Sequence, residues 1–113
     1  MQTSMLINGE LVQGDGEALP VLDPATGETV TSIKEASAEQ VEAATRASEE
    51  AFETYRLTPP GERAAYLLAI ADLIETNIEE LAELETLDVG KPWPMARDEE
   101  MPLVIDVFRF MAA

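Results

Sequence analysis

Thr29-Val30-Thr31-Ser32-Ile33-Lys34-Glu35-Ala36-Ser37-Ala38-Glu39-Gln40-Val41 is the stretch in which the chain changes its period. Thr29 to Ile33 alternates and is rich in β-branched residues, which marks a strand. From Ser37 onward the apolar spacing is helical. Ser37 and Gln40 form a capping box, in which each side chain satisfies a free amide at the start of the helix. Glu39 sits in the first turn, where the helix dipole favours negative charge. Residues 1–35 therefore read as strands and turns and residues 37–113 as helices, an α+β arrangement.

Upstream, Met5-Leu6-Ile7 runs into Asn8-Gly9, a strong two-residue hairpin signal, and Glu10-Leu11-Val12 returns. Gly14-Asp15-Gly16 ends the hairpin. Leu19 to Leu22 is a further extended piece, closed by the turn-forming Asp23-Pro24-Ala25-Thr26-Gly27. Downstream, the first helix presents Val41, Ala44, Ser48, Ala51 or Phe52, and Tyr55 on one face and stops before Thr58-Pro59-Pro60. Those prolines suit the first turn of a second helix, whose stripe is Leu67, Ala71, Ile74, Ile78, Leu81 and Glu85. Asn77 with Glu80 resembles a fresh N-cap, so a kink or restart is expected there. Gly90 followed by Pro92 stops the helix. A last helix over Asp98–Ala113 carries Met101, Val104, Val107, Phe108 and Met111, with Pro102 in its first turn or at a kink. The count is three to four helices. The stripe still runs at Met111-Ala112-Ala113, so the domain is expected to be incomplete at its C-terminal end.

The formal net charge is −16, from 23 acidic and 7 basic residues. Such a surface repels phosphate, which excludes nucleic acid and anionic membrane as partners. Only Lys34 and Lys91 are lysines. An acidic, lysine-poor surface suits a high-salt, halophilic cytoplasm, where salt screens carboxylate repulsion. No stretch approaches the roughly 20 apolar residues of a membrane span, and the start lacks a signal pattern, so a cytoplasmic setting is expected.

The sequence contains neither cysteine nor histidine. A thiol nucleophile, thiolate metal sites and an imidazole base are therefore all missing. Carboxylates cluster at Glu79-Glu80, at Glu83 with Glu85, and at Asp98-Glu99-Glu100, but on outer helix faces, where solvated surface is the simpler reading. Neither the spacing of a calcium loop nor a phosphate-binding glycine pattern occurs. Lys91, beside Gly90 at a helix end, is expected to face terminal carbonyls rather than act in catalysis. Trp93, the single tryptophan, is expected to serve packing or an interface.

Several ordered stretches resemble the opening of the aldehyde dehydrogenase superfamily: Leu6-Ile7-Asn8-Gly9-Glu10, Asp23-Pro24-Ala25-Thr26-Gly27-Glu28, Ala36 to Ala44, Arg63 to Leu68, Ala71 to Glu75, Leu84-Glu85-Thr86-Leu87-Asp88-Val89-Gly90-Lys91-Pro92, and Asp106-Val107-Phe108-Arg109-Phe110. Within the superfamily the chain is most similar to aminobutyraldehyde (1-pyrroline) dehydrogenases, through Leu6 to Val12 and Asp106 to Phe110, and next to betaine aldehyde dehydrogenases.

The resemblance implies the N-terminal part of the cofactor-binding domain of an NAD(P)-dependent enzyme that oxidises an aldehyde, here an aminoaldehyde such as 4-aminobutyraldehyde, to its carboxylic acid. In that family a cysteine attacks the aldehyde, hydride passes to NAD or NADP, and a glutamate activates water. All of these, and the cofactor-binding strands, follow the matched region, so the chain alone is expected to be inactive, with no catalytic or cofactor-binding residue of its own. The resemblance further implies a structural Na+ or K+, with Val21 and Leu22 supplying carbonyls and Asp88 a carboxylate. The expected partners are the remainder of the subunit and other subunits of a homo-oligomer. The alternative is a non-catalytic, acidic helical interaction module that docks on a partner subunit.

Overall fold

In the computed structural model, which describes residues 2–113, Asn8 and Gly9 both take positive φ, 51° and 80°. That pair of left-handed residues is what a two-residue hairpin loop needs to match the twist of its strands. It joins β1 (Met5–Ile7) to β2 (Glu10–Val12), antiparallel, with Met5 opposite Val12 and Ile7 opposite Glu10. The sequence left the pairing of the next two strands open. β3 (Ala18–Leu22) and β4 (Thr29–Lys34) form a second antiparallel ladder, from Ala18 opposite Lys34 to Leu22 opposite Thr29, irregular between Val21 and Leu22. Gly16 N donates to Glu35 O and Glu35 N to Glu17 O, both at 2.9 Å, and so extend that ladder. Gly14 is buried in the same crossing; a Cβ on it would collide with the carbonyls of Lys34 and Glu35.

The chain forms two units: residues up to Leu22 with Gly27–Leu57, and Asp23–Thr26 with Thr58–Ala113. The first holds both ladders and α1 (Ala38–Tyr55), against which β1 packs. The capping box forms as read, with Gln40 N donating to Ser37 Oγ and Ser37 N to Gln40 Oε1. The expected apolar stripe of α1 is present but uncovered. None of its residues is buried, and Val41 and Phe52 are each 57% exposed.

The second unit is helical. α2 (Pro60–Thr76) starts as expected, with Pro59 at the N-cap and Pro60 in the first turn. α3 (Ile78–Val89) follows a break at Asn77. The break was expected; its chemistry differs from the expectation. Asn77 caps nothing ahead of it: its Nδ2 donates backward to the Leu73 carbonyl at 2.7 Å, satisfying the end of α2. Leu67, Ile74, Ile78, Leu81 and Glu85 are half-buried and Ala71 is fully buried, so the stripe reads correctly across the break.

Gly90 closes α3 in the left-handed conformation, φ 75°. The final helical run begins earlier than expected, at α4 (Trp93–Met95), passes through a π-helical turn over Ala96–Glu100, and continues as α5 (Met101–Ala112). In the wide turn Met101 N donates to Ala96 O, five residues back. Pro102 gives the reason: it has no N–H for the Asp98 carbonyl, and its ring would press on that oxygen in a regular helix.

α5 packs on α2. Here the sequence reading holds in part: Met101 and Phe108 of the expected stripe are half-buried. Val104, Val107 and Met111 are 38%, 50% and 69% exposed, whereas Ile105 is 4% exposed. The polar residues of α5, Asp106 and Arg109, lie one turn apart, so its period points to the side of Val104, Phe108 and Met111, whereas packing on α2 covers the side of Met101, Ile105 and Phe108. The fully covered residues of the unit are Ala71, Ala82, Ala96 and Ile105. A core dominated by alanine removes little apolar area from water, at about 25 cal/mol per Å².

Candidate functional site

Charged side chains gather where the second unit's helices meet. Lys91, just past the end of α3, donates to Glu85 Oε1 at 2.8 Å and to Glu100 Oε2. This corrects the expectation that Lys91 faces terminal carbonyls: Gly90 N already closes the helix by donating to Thr86 O, and two half-buried carboxylates offer the ammonium a stronger partner. Hydrogen bonds to Glu100 first and Glu85 second hold the Lys91 ammonium above the usual lysine range. Arg97, in the π-helical turn, donates from Nε to Glu79 Oε1 at 2.7 Å and from Nη1 to Asp98. Its guanidinium also lies 5.5 Å from the centroid of the Trp93 ring, which gives Trp93 the packing role expected of it. Arg109 of α5 reaches Glu75 Oε2 at 2.7 Å and Asp72 Oδ1 at 3.3 Å, both on α2.

Glu79, Glu85, Asp98 and Glu100, read from sequence as solvated surface, are thus partners of cations; Glu80, Glu83 and Glu99 stay exposed. Arg97 and Asp98 are sequence neighbours, but the other three pairs span 6, 9 and 18 residues, beyond the i, i+3 and i, i+4 spacings that sequence exposes.

Val21 and Leu22 lie in β3, in the first unit, and Asp88 near the end of α3, in the second. Their oxygens are of the hard type that suits Na+ or K+, yet three donors fall short of a full shell. Among the described residues, no group of three or more Asp and Glu side chains is arranged to hold a metal ion.

In the first unit, Met5, Ile7, Gln40, Val41, Ala44 and Ser48 line an open depression of about 350 Å³. No ionisable side chain faces it. Among the described residues, no buried side-chain polar atom lacks a partner. The sequence holds neither thiol nor imidazole. The cations of the second unit tie its helices together. A connection that sequence reading missed is Gln40, whose side chain also binds Gln13 O and Asp15 N. Only the capping box hinted at it.

The sequence pattern of the aldehyde dehydrogenase family matches residues 11–113. The chain is 40% identical over 113 residues to a mitochondrial aldehyde dehydrogenase, family 2 member B4, of Arabidopsis thaliana, covering 97% of this chain and 21% of that protein. Among solved structures it is similar to an aldehyde dehydrogenase from Bacillus cereus in complex with NAD+, with a TM-score of 0.93, 36% identity, and coverage of 99% of this chain and 23% of that one. It is also similar to betaine aldehyde dehydrogenase from Staphylococcus aureus, with a TM-score of 0.91, 30% identity, and coverage of 98% and 23%. The chain thus spans about a fifth to a quarter of the length of its relatives. It belongs to the aldehyde dehydrogenase family.

Proposed function

We propose that the chain serves as the N-terminal portion of an NAD(P)-dependent aldehyde dehydrogenase subunit. The family match over residues 11–113, in a sequence with no cysteine, carries this reading. The chain contributes scaffold, and the nucleophile, base and cofactor contacts come from the remainder of the subunit. The uncovered faces of α1 and α5 support it: Phe52, Leu103 and Phe110 are 57%, 63% and 79% exposed, a large apolar area for a free surface. The substrate is an aminoaldehyde such as 4-aminobutyraldehyde, oxidised to its acid by a homo-oligomer in a high-salt cytoplasm. NAD is the preferred cofactor, with NADP the alternative. A structural Na+ or K+ bound through Val21, Leu22 and Asp88 belongs to the same proposal.

The test begins with the intact mass of the species carrying this sequence in its source cells. A species several times heavier than 12.3 kDa that reduces NAD+ with 4-aminobutyraldehyde supports the reading. Turnover of betaine aldehyde alone moves the substrate to the runner-up subfamily. A 12.3 kDa species that is inert and binds tightly to an intact dehydrogenase favours the docking module instead. The ion is tested by melting the active species in K+, Na+ or tetramethylammonium at equal ionic strength. Loss of the difference in Asp88→Ala supports the ligand set.

A further inference from the structure

Each cation at the helix junctions of the second unit sits between two carboxylates. Lys91 joins Glu85 and Glu100, Arg97 joins Glu79 and Asp98, and Arg109 joins Asp72 and Glu75. Every junction therefore keeps surplus negative charge even when fully paired. Glu80, Glu83, Asp88, Glu99 and Asp106 add to it, exposed on the same elements. The core that opposes this repulsion is three alanines and Ile105.

We propose that the second unit is an ionic-strength switch, with helices that close on one another when salt screens the surplus carboxylates and loosen in dilute solution. The Debye length is about 30 Å at 0.01 M salt, enough to span a unit of this size, and about 3 Å at 1 M. Salt also weakens the three cation junctions, but not equally. Their atoms are in direct contact and the cation side chains are 21% to 41% exposed, although their carboxylate partners are 32% to 73% exposed, whereas the remaining carboxylates are exposed and make no such contact with a cation. Screening acts most strongly on distant, exposed charges. The balance therefore moves toward closure as salt rises. The switch resides in the helices themselves and stands or falls separately from the catalytic reading.

Amide hydrogen exchange of the full 113-residue chain in KCl from about 0.01 M to about 1 M reads the closure directly. Protection in α2 and α5 should rise at least about tenfold, independently of protein concentration, and equally in K2SO4 at matched ionic strength. Glu80→Gln with Glu83→Gln and Glu99→Gln, at three exposed positions outside the cation junctions, should shift the rise to lower salt. Flat protection across the series overturns the proposal. So does a gain that is larger in sulfate than in chloride, which would mark salting-out of apolar surface rather than screening.

Discussion

Gln40 Nε2 donates to the carbonyl of Gln13 at 2.8 Å, while Oε1 of the same side chain accepts from the backbone N–H groups of Ser37 and Asp15, each at 3.0 Å. One side chain thus caps α1 and pins the segment that leaves the hairpin. It converts a local helix signal into a tertiary connection 27 residues long.

Gln40→Ala should destabilise the first unit by about 1–2 kcal/mol, the usual scale for losing a cap together with a neutral hydrogen bond. Gln40→Glu keeps both acceptor roles but has no N–H to offer Gln13, so its loss should be smaller. Urea unfolding of the three chains side by side checks the order. Equal losses for both variants would mean that the donated bond is what matters.

Gly27 and Gly90 separate backbone strain from crowding. Both have φ near +75°, at 76° and 75°. A Cβ at Gly27 meets nothing within 4 Å, whereas one at Gly90 would come within 2.7 Å of Pro24 Cγ. Gly27→Ala should cost about 1 kcal/mol from the left-handed conformation alone. Gly90→Ala should cost clearly more, and Pro24→Ala in the same chain should recover the excess. The readout is the double-mutant cycle in thermal melts.

Ile105→Ala removes the one large side chain among the fully covered residues of the second unit and should cost about 2–4 kcal/mol. Val104→Ala, at a position 38% exposed, should cost under about 1 kcal/mol. Reversed costs would show that α5 presents its other side.

Lys91 gives the unit an alkaline limit. Its ammonium is held above the ordinary lysine range by Glu100 and Glu85. Its contribution to stability is therefore complete below the unfolded lysine pKa and is lost as pH rises through the higher folded value. Urea midpoints of the parent chain should fall relative to those of Lys91→Met as pH rises above the ordinary lysine value of about 10.4. Parallel curves would show that the junction contributes nothing.

The strand-to-helix order, the Asn8-Gly9 hairpin, the capping box and the Gly90 stop were legible because each is written within a few neighbouring residues. What was illegible depends on distant partners. Arg109 and Asp72 are 37 residues apart, and Lys91 and Glu100 are nine apart, across α4 and the π-helical turn. The covered side of α5 was likewise fixed by α2 and not by the sequence of α5. The candidate site followed the same division. The missing thiol and imidazole could be read from composition, but the cation junctions that organise the charged residues needed the fold.

In a regular α-helix each residue rotates the side-chain direction by about 100°. The wide turn over Ala96–Glu100, where Met101 bonds five residues back to Ala96, absorbs part of one such step. It acts as a phase shifter between the charged start of the run and its apolar end. Deleting one residue there would swing everything after it by about a quarter turn. Ile105 would leave its covered place, and the guanidinium of Arg109 would be carried off its carboxylates on α2. A single extra residue thus chooses which side of α5 faces inward.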